Sequence, residues 1–148
     1  MDYEPLKQML MSVVPFNRHL GLEIIDIGPG TASVRLPQEP QLTNHVGTQH
    51  AAALFAAAEA ASGGAMAGAF ADLMMNVTPL ARDAQIRYLK PARGPITASA
   101  RVAEDHGAVR ARLEADGKTD FSVDIQLTDE NGVKVAEMTV SWHIRMNG

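Results

Sequence analysis

The segment "TNHVGTQHAAALFAAAEAASGGAMAGAF", residues 43–70, limits the possible folds of this chain more than any other stretch. Glu59 is its only Asp, Glu, Lys or Arg. Because alanine has the highest intrinsic helix propensity, the segment predicts one long helix over residues 48–71, with Thr48 as the candidate N-cap. Neither face of this helix is polar, so we expect it to be buried on most sides.

A membrane-spanning helix is the competing interpretation, since residues 51–71 carry one charge and a bilayer requires about 20 apolar residues. Alanine and glycine make this run only weakly hydrophobic, and a carboxylate at its centre would cost roughly 3 kcal/mol on insertion. We therefore expect a helix buried in protein, and no membrane partner.

The rest of the chain predicts a short amphipathic helix over residues 5–14 and a β-hairpin over residues 22–36, turning at Gly28-Pro29-Gly30. After the long helix come five predicted strands, and the dipeptides Asp116-Gly117 and Asn131-Gly132 are typical of hairpin turns. In the last predicted strand the apolar residues change from odd-numbered to even-numbered positions, a change of parity that predicts a β-bulge near Ala136 or Glu137. The five runs are "AQIRYL", "ITASARVA", "AVRARLEA", "FSVDIQLT" and "VKVAEMTVSWHI".

Composition narrows the function classes. The 148 residues predict a single domain, residues 1–148, and the net charge of −4 argues against a nucleic-acid partner. The chain has no cysteine, which excludes disulfides and thiolate chemistry, and its five histidines show no metal-ligand spacing, so we expect no metal. The N-terminal residues lack the pattern of a signal peptide, which predicts a cytoplasmic protein.

The helix entrance carries a recognisable motif. In "NHVGTQHAAALFAAAE", Asn44, Gly47 and His50 are followed nine residues later by Glu59, and "YLKPAR" begins at Tyr88. This pattern resembles the phenylacetic-acid-degradation type of acyl-CoA thioesterase, in the 4-hydroxybenzoyl-CoA thioesterase superfamily, or a related uncharacterised group. The resemblance covers residues 15–145 and implies an α+β hotdog fold, an antiparallel sheet wrapped around one long central helix.

The resemblance also implies an activity. Glu59 would be the catalytic carboxylate, acting as general base or nucleophile, and the Ala51 N–H would be the oxyanion donor. Ala51 and Ala52 stand where that family has Gly-Gly, so a non-catalytic acyl-CoA or acyl-ligand binding protein is the alternative, and a purely structural dimer is a third. A hydratase or dehydratase is disfavoured because its histidine pattern followed by Pro-Gly is absent. No cofactor is expected.

Helix geometry requires a second copy of the chain for such a site. Ala51 and Glu59 are eight residues apart, about 12 Å along one helix, and cannot both reach one carbonyl carbon. In a two-fold dimer with antiparallel central helices, the start of one helix would meet the carboxylate of the other. We therefore expect a homodimer, or a homotetramer formed as a dimer of dimers, with the site at the dimer interface.

The remaining motif residues have structural explanations as well. Asn44 would orient water or substrate or form only an Asx-turn, and Gly47 would supply a positive φ. His50 would bond backbone at the helix start more readily than act as acid or base, although its ring could help to orient the substrate. Gly64 and its neighbour Gly63 suggest close approach by backbone or ligand. Residues proposed to contact an acyl-CoA substrate, the last two through its phosphates, are Phe55, Ser62, Gly63, Thr78, Lys90 and Arg93.

Overall fold

An antiparallel six-stranded sheet curves around one long helix in the computed structural model, which describes all 148 residues. The predicted α+β hotdog architecture is confirmed. The helices are α1 (Glu4–Val13), α2 (Pro15–His19), α3 (Ala51–Ala69) and α4 (His106–Asp116). The strands are β1 (Glu23–Gly28), β2 (Thr31–Leu36), β3 (Val77–Tyr88), β4 (Ile96–Val102), β5 (Lys118–Thr128) and β6 (Lys134–Met146). Their order in the sheet is β1-β2-β4-β5-β6-β3.

The central helix α3 begins at Ala51, three residues later than predicted, because His50 is its N-cap. The His50 Nδ1 accepts the Ala52 N–H at 2.9 Å, whereas the Thr48 hydroxyl accepts a hydrogen bond from the Asn44 amide. The prediction of Thr48 as the cap is therefore wrong. Imidazole nitrogen here takes the place of the hydroxyl or carboxylate oxygen usually found at this position.

Glycines let α3 lie directly against the β1–β2 hairpin. A Cβ on Gly64 would stand 2.8 Å from the Ala32 Cβ, and one on Gly68 would stand 2.1 Å from the Gly28 carbonyl oxygen. A Cβ on Gly63 would meet only the Trp142 ring, at 3.8 Å. A close approach within the chain is therefore found at Gly64, to the Ala32 side chain, whereas Gly63 has only ordinary contact with protein atoms. Gly68 is a tighter contact than either.

The predicted hairpin over residues 22–36 is confirmed, but the predicted strand "AVRARLEA" is wrong, because these residues belong to α4. The Asp105 carboxylate caps the first turn by accepting the Ala108 N–H, and Val109 and Leu113, four residues apart, are its buried positions. Gly117, with φ +76°, ends the helix, so Asp116-Gly117 is a helix C-terminus and not a hairpin turn.

The bulge predicted from the change of parity is confirmed, at Val135. Leu127 pairs with Ala136 and Thr128 with Lys134, which leaves Val135 as the extra residue, and both Val135 and Ala136 are buried. The predicted Asn131-Gly132 turn also forms, with Gly132 at φ +77°.

One side of the chain stays uncovered. Helix α3 packs on β1, β2, β4, β5 and β6, while β3, at the sheet edge, pairs with β6 as its only neighbouring strand. Of the helix-facing positions of β3, Ala81, Ala84 and Tyr88 are exposed and Ile86 is half-buried. Next to β3, the uncovered stripe of α3 consists of Ala51, Ala52, Phe55, Glu59, Ala60 and Gly63.

No helix of the structure combines the length and apolarity needed to cross a bilayer.

Candidate active site

The loop before α3 is organised by Asn44. Its Oδ1 accepts the N–H groups of Val46 and Thr48, both at 3.1 Å, and its Nδ2 donates to the Thr48 hydroxyl at 2.8 Å. Gly47 adopts φ +81°, a conformation that favours glycine. Asn44 and Gly47 thus shape an Asx-type loop that presents the first turn of α3 to solvent.

A single backbone donor is free at the start of α3. The Ala52 N–H is held by the His50 ring, and the N–H groups of Ala53 and Leu54 both donate to the His50 carbonyl. The Ala51 N–H has no acceptor, and Ala51 is exposed. Because the N-terminus of a helix carries a partial positive charge, this N–H is suited to bind a carbonyl oxygen on which negative charge develops.

The last residue of β3 contacts this first turn. The Tyr88 hydroxyl donates to the Ala51 carbonyl at 3.1 Å, and burial raises the pKa of the Tyr88 phenol, so it remains a donor at neutral pH. A cavity of about 400 Å³ opens here. Among its lining residues are Asn44, Ala51, Leu54, Tyr88 and Lys90.

Gln49 fixes the same loop from inside. Its side chain is buried, and its amide nitrogen donates to the carbonyls of Pro37 and Gly94, each at 3.0 Å. Its backbone N–H donates to the Ala92 carbonyl. The loop before α3 is therefore tied to two other segments of the chain, at Pro37 and at residues 92–94.

The Glu59 carboxyl lies two turns further along the exposed stripe of α3. It is half-buried and has no hydrogen-bond or ion-pair partner within the chain, and burial raises the pKa of this carboxyl above its ordinary value. A carboxylate without a donor holds a proton more readily than a solvated one. Glu59 is therefore suited to accept a proton from water or to attack an electrophile.

This raised pKa predicts how Glu59 affects stability. The folded state binds the Glu59 proton more tightly than the unfolded state, so the free energy of unfolding falls as pH rises from the ordinary pKa of 4.5 through the raised value. Glu59→Gln is expected to match the wild type in urea unfolding at about pH 4 and to be more stable at about pH 8. Glu23→Gln, which makes the same change at an exposed position, is the control substitution. A wild type more stable than Glu59→Gln at the higher pH would contradict this.

The other candidate residues fall into separate places. Phe55 and Gly63 share the exposed stripe with Glu59, whereas Ser62 is fully buried and its hydroxyl donates to the Glu59 backbone carbonyl at 2.7 Å and accepts the Trp142 indole N–H at 3.1 Å. Thr78 lies at the opposite end of β3 from Tyr88 and donates to the Asn147 side chain. The structure therefore does not bring Thr78 to the cavity, and it places Ser62 in the core.

Lys90 and Arg93 line a groove of about 680 Å³ beside the cavity. Neither forms an ion pair within the chain, although Asp129 and Glu130 line the same groove. Lys90 and Pro91 line both spaces, so the groove continues from the cavity at the start of α3.

An antiparallel six-stranded sheet around one long central helix is the arrangement of the hotdog fold, the class to which several thioesterases belong. The chain belongs to DUF4442, a family described as a domain of unknown function, which matches residues 4–144. No curated protein matches the chain.

Solved structures agree with this class. A "Probable Thioesterase" of unknown function from Pseudomonas aeruginosa is 28% identical, with a TM-score of 0.84 over 99% of this chain and 97% of its own. A thioesterase family protein from Silicibacter pomeroyi is 19% identical, with a TM-score of 0.80 over 99% and 100%. The PaaI protein of the Escherichia coli phenylacetic acid degradation operon is 22% identical, with a TM-score of 0.76 over 95% and 91%. The resemblance to hotdog-fold thioesterases is thereby confirmed.

Proposed function

We propose that the protein hydrolyses acyl-CoA or similar thioesters at a site formed by two copies of the chain. The observation that carries this proposal is the half-buried Glu59 carboxyl, which has no partner within its own chain and lies on the uncovered face of α3. A carboxyl kept desolvated and unpaired has a cost in stability, and such groups occur where chemistry uses them.

The chemistry follows from the two ends of the site. The thioester carbonyl oxygen accepts the Ala51 N–H. Glu59 of the partner subunit removes a proton from a water molecule while the oxygen of that water adds to the carbonyl carbon. The tetrahedral intermediate collapses by breaking the C–S bond, and the departing thiolate takes up the proton held by the carboxyl. In the nucleophilic variant the carboxylate attacks the carbonyl carbon first, and the C–S bond breaks to release the thiolate and leave an anhydride. Water then hydrolyses the anhydride to the free acid and the regenerated Glu59 carboxyl, and the thiolate takes up a proton from solvent.

The second copy is supported by the uncovered surface. An edge strand as long as β3, with 12 residues, leaves a row of unpaired backbone groups that favours pairing with another strand. Antiparallel pairing of two β3 strands would continue the sheet and bring two α3 helices together along their exposed stripes. In the register that sets residue 51 of one helix against residue 59 of the other, Ala51 of each copy would face the carboxylate of its partner, which the 12 Å or so between the two residues within one helix prevents in a single chain.

Coenzyme A is favoured as the thiol part of the substrate by Lys90 and Arg93. Their side chains are cationic, unpaired within the chain, and lie along the groove that continues from the cavity at the Ala51 N–H. Unpaired basic groups are suited to phosphates. With the phosphates in the groove, the acyl end of the substrate would point from Ala51 along α3, towards Glu59 of the same chain.

The second candidate function, acyl-CoA binding without turnover, is favoured by one observation. Ala51 and Ala52 are both exposed at the start of α3, and each carries a methyl group where the thioesterases that the chain resembles have glycine. Release of free thiol from a panel of aryl, short-chain and long-chain acyl-CoAs separates the two: turnover supports the hydrolase, and stabilisation by ligand without turnover supports the binder.

Ala51→Pro tests the proposed oxyanion donor without disturbing the helix. Proline at the first helical position is well tolerated, and His50, at ψ 141°, already has the extended backbone that a following proline requires. The substitution removes the free N–H and no existing hydrogen bond, so kcat for the best acyl-CoA is expected to fall by about 10²- to 10³-fold.

Ala51→Ser is the matched control, because it keeps the N–H and should retain kcat to within about tenfold. Circular dichroism and thermal unfolding should show both variants to be folded. A folded Ala51→Pro variant with the kcat of the wild type would contradict the role given to this donor.

A further inference from the structure

The exposed stripe of α3 has one large side chain among small ones. Phe55 is 36% exposed, and along the stripe it is preceded by Ala51 and Ala52 and followed by Ala60 and Gly63. An exposed aromatic residue flanked by alanine and glycine is the pattern of a helix surface that another helix approaches closely, with the ring as its central contact.

The shared site fixes the alignment of the two helices. In a two-fold interface, if residue i of one copy meets residue j of the other, then j meets i. When residue 51 meets residue 59, the interface residue halfway between them meets its own counterpart, and that residue is Phe55.

Resting on the proposed function, we propose that the Phe55 side chains of two copies pack against each other on the two-fold axis and form the wall between the two acyl sites. The partner for this surface is a second copy of the same chain. Each site is then bounded by the Ala51 N–H at one end and the Phe55 pair at the other.

Distances along the helices make this alignment measurable, because the chain has no cysteine of its own. Helices in contact have axes about 8–10 Å apart and Cα atoms about 2.3 Å from the axis, so Cα atoms facing each other on the two-fold are about 3.4–5.4 Å apart. The upper part of this interval lies within the range of about 4.4–6.8 Å that a disulfide bridges. Residue 51 of each copy is four residues, about 6 Å along its helix, from the two-fold axis. The two residues at position 51 are therefore about 12 Å apart and cannot be bridged by a disulfide.

The test is oxidation of single-cysteine variants followed by non-reducing electrophoresis. Phe55→Cys is expected to form a disulfide-linked dimer. Ala51→Cys alone, or Glu59→Cys alone, is expected to form no disulfide and to run as a single chain on the gel. A mixture of the last two should form a disulfide-linked heterodimer, and this arm decides the alignment if Phe55→Cys fails to fold. No covalent product in folded Phe55→Cys, or equal dimer formation by Ala51→Cys, would overturn the alignment.

The wall formed by the two Phe55 side chains is tested separately, by the preference of the enzyme for long or short acyl chains. Phe55→Ala should raise the ratio of kcat/KM for a long-chain acyl-CoA to that for a short-chain acyl-CoA by about tenfold. An unchanged ratio in an active, folded variant would overturn the wall. Absence of turnover in the wild type would instead contradict the proposed function, while the disulfide experiment would still decide whether Phe55 lies on the axis.

Discussion

Glu59→Gln is expected to lower kcat for acyl-CoA hydrolysis by about 10²- to 10⁴-fold, the range of a lost general base, and by more if the carboxylate is the nucleophile. The amide has nearly the shape of the carboxyl but cannot take a proton from water. Because Glu59 has no hydrogen-bond partner in the chain, the substitution breaks no structural contact. KM should therefore change little, and the measurement is steady-state thiol release.

Glu23→Gln is the control, since Glu23 is exposed and lies on β1, at the other edge of the sheet from β3. It should keep the kcat of the wild type. Equal rates of thiol release by wild type, Glu59→Gln and Glu59→Ala across the acyl-CoA panel would show that this carboxylate has no part in catalysis.

Gly68→Ala is expected to destabilise the fold by about 3 kcal/mol or more, the upper range for overpacking. Its new Cβ would stand 2.1 Å from the Gly28 carbonyl oxygen and 3.0 Å from the Ile27 side chain, so α3 would have to move off the β1–β2 hairpin. The atom in the way is backbone, which cannot turn aside as a flexible side chain can. Chemical unfolding of purified protein measures the effect.

Gly63→Ala provides the matched substitution on the same helix. Its Cβ would make only ordinary van der Waals contact with the Trp142 ring, and alanine has a helix propensity about 1 kcal/mol more favourable than glycine. The variant should unfold at the same or a higher urea concentration than the wild type. Equal stabilities of Gly68→Ala and the wild type would show that α3 does not pack on Gly28 as described.

Most of the fold could be predicted from residue patterns because its largest elements have strong local signals. Alanine-rich composition marks α3, and alternation marks β5 and β6, including the parity change at Val135. Helix α4 was not predicted because "AVRARLEA" alternates as a strand does, while its Val109 and Leu113 also fit helical spacing. The signals that decide between them are the Asp105 cap and Gly117.

The candidate site also has a part that the sequence predicts and a part that it does not. Asn44, Gly47, His50 and Glu59 are found by their spacing within a single stretch of sequence. The contacts of Tyr88 and Gln49 were not predicted, because they join segments far apart in the chain: Tyr88 reaches Ala51 across 37 positions, and Gln49 reaches Gly94 across 45. Only the wrapping of the sheet around α3 brings these partners together.

The central claim is that each site takes its N–H from one copy and its carboxylate from another, and complementation between two inactive variants tests it. Ala51→Pro keeps Glu59, and Glu59→Gln keeps the Ala51 N–H. If both are unfolded together and refolded at equal concentrations, about half of the dimers should be mixed, and each mixed dimer holds one intact site of two. Thiol release should therefore return to about a quarter of the wild-type rate, although each variant refolded alone stays inactive. If the refolded mixture is no more active than the separate variants, while tagged chains confirm that mixed dimers have formed, the shared site is contradicted.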